Sequence, residues 1–444
     1  MRTAVRWTLQ HGLPRALMRR AARGGDPQAR LIVDPATRDN PFTLHDEVRA
    51  RGPIVRGRLT YITATHSVVR DVLRSEDFRA GDIAAVFPWP LNRVYDWAHD
   101  ATVLHPIEPP SLLAVEPPEH TRYRRQVSRV FTARAVEGLR PRIQVLAEEL
   151  LEELAGAGAT ATVDLVDRYA TMLPVTVIAE ILGVPQAERA EVLAYGGGAA
   201  PSLDLGLSWR QFRSVDASLR GFDAWLGAHL QRLRRSPGED LLSKLVTLDD
   251  DGDRLSETEL RATAGLLLAA GFETTVNLLG SGTELLLRHS EQLGRLREEP
   301  ELWPNAVEEV LRVESPVQLT ARSALRDTEV AGMRVPAGQR VVALLAGANR
   351  DPEVFRDPHR FDVRRSNAKD HLSFSGGRHY CLGAALARLE GEIGLRTLFG
   401  RFPELALAPG AARRDTRVLR GWERLPVVLG LPSREPVHKS LGSP

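Results

Sequence analysis

Residues His371–Glu390 read HLSFSGGRHYCLGAALARLE and contain Cys381, the only cysteine of this 444-residue chain. The glycines before Cys381 allow a tight loop, and residues 382–392 have the pattern of a helix. The Cys381 thiol then lies at a helix N-terminus, where the helix dipole and free N–H groups lower a thiol pKa and stabilise anionic sulfur. A lone cysteine is more often a small buried apolar side chain, but this setting meets the physical requirement of a thiolate metal ligand.

Four residues of this stretch, Phe374, Gly377, Cys381 and Gly383, follow the spacing F-x-x-G-x-x-x-C-x-G. The segment resembles the haem-binding loop of the cytochromes P-450. The resemblance implies haem b (iron protoporphyrin IX) as cofactor, Cys381 as its metal ligand, and Phe374 and Gly383 as cofactor contacts. Ser375 departs from the family pattern, which usually has glycine at that position.

A second match lies in a long apolar helix predicted at residues 257–288. The run from Ala270 to Thr275 reads AGFETT and resembles the A-G-x-[DE]-T-T of the same family. The resemblance implies that Ala270 lies against the cofactor and that Glu273 and Thr274 are catalytic, relaying protons to dioxygen as general acids. Taken alone, these residues are a polar patch, but polar groups inside an apolar segment are costly without a purpose.

Two further matches concern structure rather than catalysis. Glu309-Val-Leu-Arg312 and Pro358-His-Arg360-Phe361 resemble the family's E-x-x-R and P-x-R-F. A lone E-x-x-R is usually an exposed helical ion pair, but this one precedes the cysteine at the family's distance. The resemblance implies that Glu309, Arg312 and Arg360 form a carboxylate–guanidinium triad that holds the cysteine loop.

Two haem carboxylates need cationic partners. His120 and Arg124 are four residues apart, so they share one helical face, and they match the family's H-x-x-x-R. Arg322 matches an arginine on a strand, and His379 matches a histidine two residues before the cysteine. The resemblance implies that all four bind the haem propionates, although each alone is an ordinary surface or capping residue.

The rest of the chain predicts a mainly α protein with a small β region, and the resemblance implies the cytochrome P-450 fold. An S-x-x-E capping box at Ser256 and Glu259 marks the start of the longest helix. Residues 79–119 are proline-rich and irregular, and include Phe87 and Trp89, which fits a lid over an apolar site. Helices are predicted at 121–156, 167–182, 209–235, 257–288 and 302–313, and strands at Tyr61–Ala64, Thr328–Val330, Met333–Val335 and Arg340–Leu345.

We expect a single domain at residues 31–430, a solvated N-terminal extension at 1–30 and a C-terminal tail at 431–444. Arginines interrupt the apolar residues of 1–30, which excludes a signal peptide; an interfacial basic helix is the alternative. The sequence contains no run of about 18 apolar residues, so we expect no membrane span. With 59 basic and 57 acidic residues, the charge balance gives no reason to expect nucleic acid as a partner. We therefore expect a cytoplasmic protein.

Together, the resemblances imply a monooxygenase that inserts one oxygen atom of O2 into a C–H or C=C bond. The single cysteine excludes an internal disulfide and a four-thiolate iron–sulfur cluster, and no flavin domain fits, so electrons would come from a separate ferredoxin and ferredoxin reductase. Arg122, Arg125 and Arg129 form either a solvated helix face or a docking patch for that acidic donor.

The alternatives are a peroxide-driven peroxygenase and a haem-binding sensor without turnover. The pair Glu273 and Thr274 argues against the peroxygenase, and an intact relay argues against the sensor. The segments predicted to form the pocket walls are apolar, which favours a hydrophobic small-molecule substrate. They are residues 80–115, 194–208, Leu268–Gly271, Val317–Ala321 and the turn near Val418.

Overall fold

The computed structural model describes residues 1–80, 91–100, 103–247 and 254–433, and most of them are helical, as predicted. The α-helices are Arg2–Trp7, Leu13–Arg23, Pro27–Val33, Pro35–Asp39, Phe42–Ala50, His66–Arg74, Leu91–Ala98, Glu119–Val130, Ala133–Glu137, Arg140–Ala155, Met172–Ile181, Arg189–Ala199, Trp209–Arg235, Leu241–Thr247, Glu257–Arg288, Ser290–Glu298, Trp303–Val313, Leu345–Ala348 and Ala384–Arg401. Turns of π-helix occupy Thr8–Gly12 and Val166–Ala170.

The central helix, Glu257–Arg288, has the predicted bounds. Its capping box is formed: the Ser256 N–H donates to the Glu259 carboxylate over 2.8 Å, and the Glu259 N–H donates to the Ser256 hydroxyl over 3.3 Å. By length and composition this helix is apolar enough to cross a membrane, but 61% of its apolar window is buried inside the protein. Its apolar character therefore reflects its place in the core.

The cysteine helix, Ala384–Arg401, crosses the central helix at close range because glycines line the crossing. A Cβ atom at Gly391 would lie 2.9 Å from Leu278, and one at Gly394 would lie 2.7 Å from Leu279. Side chains at these two positions would push the helices apart. The close crossing fixes the start of the cysteine helix, and with it Cys381, relative to the middle of the central helix.

The β structure is small. A five-stranded sheet has the order Val55–Arg56, Tyr61–Thr63, Arg340–Ala343, Thr320–Ala324, Phe78–Ala80. The second and third of these strands are parallel, and the other pairs are antiparallel. Thr162–Asp164, Pro426–Val428 and Ala406–Leu407 form a three-stranded sheet, and two hairpins pair Thr328–Val330 with Met333–Val335 and Ala412–Arg413 with Trp422–Arg424.

One predicted helix is divided. The pattern over 121–156 becomes three helices, Glu119–Val130, Ala133–Glu137 and Arg140–Ala155. The Thr132 hydroxyl caps the second of them by accepting the Ala135 N–H, and Pro141 occupies the first turn of the third. Proline lacks an N–H and is favoured at a helix start. The helical pattern of the sequence therefore continues across 121–156, but the helix itself is interrupted.

Residues 1–30 are not a solvated extension. They form helices whose Leu9 and Met18 side chains are buried, and Arg6 forms an ion pair with Asp216 of the helix Trp209–Arg235. The Trp7 indole N–H donates to the Leu207 carbonyl over 3.0 Å. The arginines that interrupt the apolar run leave these side chains on one face, which docks on the body of the protein.

The region predicted to be irregular contains regular structure. Phe78–Ala80 is a strand and Leu91–Ala98 a helix. Residues 81–90 and 101–102, with Phe87 and Trp89 on which the lid expectation rests, lie outside the described residues, as do residues 434–444 of the C-terminal tail.

Candidate haem site

The cysteine loop is held by its backbone. The Cys381 N–H donates to the Phe374 carbonyl over 2.9 Å, and the chain turns through Gly377 with a φ of +64°. A Cβ at Gly377 would lie 2.4 Å from the Leu73 carbonyl oxygen, so only glycine fits there. This turn delivers Cys381 to the start of the cysteine helix.

Cys381 is half-buried. Burial raises the pKa of its thiol, while the Gly383 N–H and the charges of Arg124 and Arg388 lower it in part. The sequence predicted that the helix start lowers this pKa. Desolvation has the larger effect and raises it, because burial disfavours an anion. A thiolate at this position needs a cation against it, and a haem iron supplies one.

Ser375, the departure from the family pattern, has a φ of +63°, where a side chain is strained. Its buried hydroxyl has no hydrogen-bond partner among the described residues. We expect Ser375→Gly to raise the free energy of unfolding by about 1 kcal/mol, because relief of strain and of an unsatisfied hydroxyl outweighs the added entropy of glycine. Urea denaturation measures this; a destabilised variant would contradict it. Gly377→Ala is the opposite control and should destabilise.

The structural triad forms with a different arginine from the predicted one. Glu309 and Arg312 are fully buried and joined by two hydrogen bonds of 2.7 and 2.8 Å. The third member is Arg365, whose Nε lies 3.1 Å from Glu309, whereas Arg360 is exposed and contributes only its backbone carbonyl to Arg312. The assignment of Arg360 is therefore wrong, because the chain needs five more residues to turn back towards Glu309.

Breaking the triad should destabilise the protein. Glu309→Gln leaves a buried guanidinium without its counter-charge, so we expect the free energy of unfolding to fall by about 3–5 kcal/mol. Arg365→Ala should cost about 1–3 kcal/mol and Arg360→Ala less than about 0.5 kcal/mol, as measured by urea denaturation. A larger loss at Arg360 than at Arg365 would contradict the assignment.

The central helix exposes one face although it runs through the core. Leu266, Leu267 and Thr274 are half-buried and Ala270 is exposed, whereas Leu268, Phe272 and Thr275 are buried. The four accessible positions lie on one side of the helix, because each residue advances by about 100° around its axis. Thr274 and Ala270 therefore lie on an accessible, mostly apolar face of the central helix.

Glu273 and Thr274 are adjacent in sequence but face different surroundings. The Thr274 hydroxyl donates to the Ala270 carbonyl over 3.1 Å. The buried Glu273 carboxylate lies 3.0 Å from Arg414, and the Arg414 Nε donates to the Trp422 carbonyl over 3.2 Å. Burial raises the pKa of Glu273, and the Arg414 charge lowers it only in part. The sequence did not indicate Arg414 as the partner, because it lies far along the chain.

A second buried acid, Glu390 of the cysteine helix, lies near Thr275. Burial raises the pKa of Glu390 to about 8, and the Thr275 hydroxyl lowers it only in part. The folded protein thus keeps this proton to about pH 8, whereas the unfolded chain releases it near its ordinary pKa of 4.5. The folded protein therefore loses stability as the pH rises from 4.5 to about 8.

Removing this acid should therefore stabilise the protein in a pH-dependent way. We expect Glu390→Gln to raise the free energy of unfolding relative to the parent by about 3 kcal/mol at pH 7, at about 1.4 kcal/mol per pH unit above 4.5, and to bring no gain at pH 4.5. Urea denaturation across pH 4.5–8 measures the difference. A gain that is independent of pH would show that Glu390 does not keep its proton in the folded state.

Three of the four residues predicted to bind the haem carboxylates have no carboxylate partner among the described residues. His120 is buried, and its Nε2 has no hydrogen-bond partner within the part of the chain that the structure describes. Burial, then the charges of His379 and Arg124, lower its pKa to about 4. Arg322 is buried and donates to the Thr320 hydroxyl and Ala321 carbonyl, and burial lowers its pKa to about 10. Arg124, half-buried, forms no ion pair in this part of the chain.

His379 is close to His120, with ring centroids 4.5 Å apart, but it has a protein partner that the sequence did not reveal. Its Nε2 lies 3.2 Å from the carboxylate of Glu116, which also accepts from Arg378 over 2.7 Å and from the Ala80 N–H over 2.6 Å. Burial raises the pKa of Glu116, but the bonds from His379, Ala80 and Arg378 bring it down to about 2. Glu116 therefore stays ionised and orients His379.

These features fit haem. A half-buried cysteine begins a helix, an accessible apolar face lines the central helix, and the unpartnered Nε2 of His120 and the guanidinium groups of Arg124 and Arg322 offer sites for two carboxylates. A buried ring nitrogen without a hydrogen bond and guanidinium groups without a counter-charge are costly, so this set is explained by an anionic group that the site binds.

Arg122 does not belong to a free basic patch. It forms an ion pair with Glu259 at the start of the central helix, and the Tyr123 hydroxyl donates to the same carboxylate over 2.7 Å. Arg122 therefore does not belong to the predicted docking patch for an acidic electron donor. Arg125 and Arg129 are exposed but also make interactions of their own.

Three of the predicted pocket walls meet. The Gln318 N–H donates to the Val418 carbonyl over 2.8 Å, which joins Val317–Ala321 to the turn near Val418. Asp204, at the end of the 194–208 connection, accepts the backbone N–H groups of Arg417 and Val418 over 3.0 and 2.9 Å. The connection is therefore fastened to that turn. Part of the 80–115 wall lies outside the described residues.

The chain is similar to known proteins of one family. The family model described as Cytochrome P450 matches residues 209–416. A putative cytochrome P450 140 of Mycobacterium tuberculosis is 55% identical over 443 residues, 98% of this chain and 100% of that protein. The 6-deoxyerythronolide B hydroxylase of Saccharopolyspora erythraea is 45% identical over 318 residues, 71% of this chain and 76% of that protein. The structure of P450BioI with acyl carrier protein has a TM-score of 0.80 and 33% identity, covering 89% of this chain and all of that one. The chain therefore belongs to the cytochrome P450 family of haem-thiolate monooxygenases, whose cofactor is haem b.

Proposed function

We propose that this cytochrome P450 hydroxylates or epoxidises a hydrophobic small molecule with electrons from a separate ferredoxin and ferredoxin reductase. The observation that carries the proposal is the accessible face of the central helix, where Leu266, Leu267 and Ala270 offer an apolar surface beside the Thr274 hydroxyl. A mostly apolar face with one polar group suits an apolar substrate that is oriented beside a proton donor.

In the proposed mechanism, haem supplies the reduction of dioxygen and the transfer of one oxygen atom to the substrate, and the protein supplies position and protons. Cys381 holds the iron, and Ala270, Phe374 and Gly383 contact the macrocycle. His120, Arg124, Arg322 and His379 hold its two carboxylates. The roles of His120, Arg124 and Arg322 are supported by their lack of a carboxylate partner among the described residues, whereas His379 already has Glu116 as a partner.

Proton supply is assigned to Thr274 and Glu273. The Thr274 hydroxyl lies on the accessible face of the central helix, so it can donate a proton there directly or through a water molecule. Glu273 faces Arg414 on the other side, so it must turn or act through water to restore the proton at Thr274. Burial raises the pKa of Glu273, and the Arg414 charge partly offsets this effect, so Arg414 eases the release of the Glu273 proton.

Two relatives support an apolar substrate of medium to large size. One is named for hydroxylation of 6-deoxyerythronolide B, and the P450BioI structure contains acyl carrier protein ligated with hexadec-9Z-enoic acid. By the same proposal the protein works in the cytoplasm and its catalytic domain spans residues 31–430.

The test is consumption of NAD(P)H by the haem-loaded protein with a surrogate ferredoxin and reductase, with and without candidate substrates. A monooxygenase consumes NAD(P)H and O2 and forms product; a peroxygenase forms product only with added hydrogen peroxide; a sensor forms none. A screen for ligands that shift the haem absorption band to the blue identifies the substrate class first.

A further inference from the structure

The first 25 residues carry charge of one sign. They contain six arginines and no aspartate or glutamate. Arg6 is buried and forms an ion pair with Asp216. Arg19, Arg20 and Arg23 are exposed, and they form no ion pair or hydrogen bond within the part of the chain that the structure describes. They are therefore available to an anionic partner.

The helix Leu13–Arg23, which carries these three exposed arginines, is apolar on two sides. Met18 and Ala21 are buried beside Ala29 of the next helix. Leu13 and Leu17 are 42% and 47% exposed. One apolar side thus attaches the helix to the protein, and the other faces solvent.

The exposed apolar and basic residues form one continuous face. Leu13, Ala16, Leu17 and Arg20 follow the spacing i, i+3, i+4, i+7 that places residues on one side of a helix, and Ala16 and Arg20 are exposed as well. We call the basic N-terminal face the six residues Leu13, Ala16, Leu17, Arg19, Arg20 and Arg23.

An exposed aromatic side chain of another helix lies beside the start of this N-terminal segment. Trp97 is 43% exposed, and the Arg2 guanidinium lies 5.3 Å from its ring centroid. Indole rings and guanidinium groups are both favoured at the boundary between lipid and water. Trp97 and Arg2 thus have the same mixture of apolar and basic groups as the basic N-terminal face.

We propose that the basic N-terminal face binds the surface of an anionic phospholipid membrane. The helix would lie in the plane of the interface with Leu13 and Leu17 among the upper acyl chains and with Arg19, Arg20 and Arg23 on lipid phosphates. Guanidinium groups bind phosphate through two parallel hydrogen bonds, and amphipathic helices with apolar and arginine residues bind membranes in this way.

The shape of this face favours a membrane over an acidic protein. The apolar residues project from a single convex helix, with the arginines beside them, and a planar bilayer can receive all of them at once. A protein partner would need its own groove to cover Leu13 and Leu17. The proposal does not depend on the reaction of the haem site, because none of the six residues belongs to that site.

The test is sedimentation of the full-length, haem-loaded protein with vesicles of phosphatidylcholine alone or with about one third phosphatidylglycerol. We expect binding to the anionic vesicles that weakens as salt is added, and at least tenfold weaker binding to neutral ones. Leu13→Asp with Leu17→Asp, and separately Arg19→Gln with Arg20→Gln and Arg23→Gln, should each weaken binding at least tenfold. The haem absorption spectrum confirms that each variant is folded.

Matched controls carry the same changes elsewhere. Leu325 and Leu431 are 52% and 67% exposed, so Leu325→Asp with Leu431→Asp adds the same charge outside the face and should change binding less than twofold. Equal binding to neutral vesicles, no binding to anionic ones, or equal losses in the control would overturn the proposal. So would binding of an acidic soluble protein, such as an acyl carrier protein, at this face in the absence of any vesicle binding.

Discussion

Replacing Cys381 with serine is expected to abolish thiolate ligation and to reduce product formation to background, while the protein still folds and captures some haem. Serine has nearly the same volume, and the hydrogen bond that fixes this position is made by the Cys381 backbone N–H to the Phe374 carbonyl, which serine retains. A hydroxyl, however, does not supply the electron density with which a thiolate favours cleavage of the O–O bond.

The measurement is the absorption band of the reduced, haem-loaded protein under carbon monoxide. The parent should show the red-shifted band of thiolate ligation, and Cys381→Ser should not. Tyr380→Phe is the neighbouring control, because Tyr380 is exposed and its loss should leave the band in place. If the serine variant kept the red-shifted band, Cys381 would not be the metal ligand.

Much of this architecture could be predicted because its signals are local in sequence. The central helix has the predicted bounds, since a capping box and a long apolar run specify its start and its place in the core. The hairpin strands Thr328–Val330 and Met333–Val335 were likewise predicted, because two short strand-like segments lie next to each other in the sequence. The fold class follows from these elements and from the motif around the cysteine.

What failed depends on contacts between distant parts of the chain. Arg365 replaces Arg360 in the triad because the path of the chain after Pro358, and not the motif, decides which guanidinium reaches Glu309. Glu116 and Arg414 are defined only by the side chains that they meet in space. The N-terminal helices were missed because Arg6, which breaks the apolar run in sequence, is neutralised by Asp216 in the structure.

Thr274→Ala is expected to uncouple the reaction and not to stop it. The Thr274 hydroxyl donates only to the Ala270 carbonyl among the described residues, so its loss leaves no buried donor unsatisfied and the fold should be unaffected. Electron transfer precedes the use of this proton, so NAD(P)H consumption should continue. Loss of a positioned proton donor costs about 10²–10⁴-fold in the step that it serves.

The balance of products follows from the chemistry. Productive turnover converts RH, O2, two electrons and two protons into ROH and water. Without a proton at the correct oxygen, O2, two electrons and two protons leave as hydrogen peroxide. We therefore expect the ratio of product to NAD(P)H to fall and the peroxide yield to rise by the same amount in Thr274→Ala.

Thr275→Ala is a matched control for this variant. Thr275 also donates its hydroxyl to the carbonyl four residues earlier, over 3.4 Å, but it is buried on the other side of the central helix, so its loss should leave the ratio of product to NAD(P)H at the parental value. Glu273→Gln should differ from both, because loss of the acid that restores the proton slows the whole cycle, including NAD(P)H consumption.

The three variants together separate the roles of the two residues. If Thr274→Ala uncouples while Thr275→Ala does not, the hydroxyl on the accessible face is the donor and general loss of helix polarity is not the cause. If Glu273→Gln slows turnover without releasing peroxide, its proton is needed before the oxygen is committed to either product. An alanine variant at Thr274 that keeps parental coupling would mean that the proton reaches oxygen by another route, such as a substrate hydroxyl, and the catalytic assignment of Thr274 would be wrong.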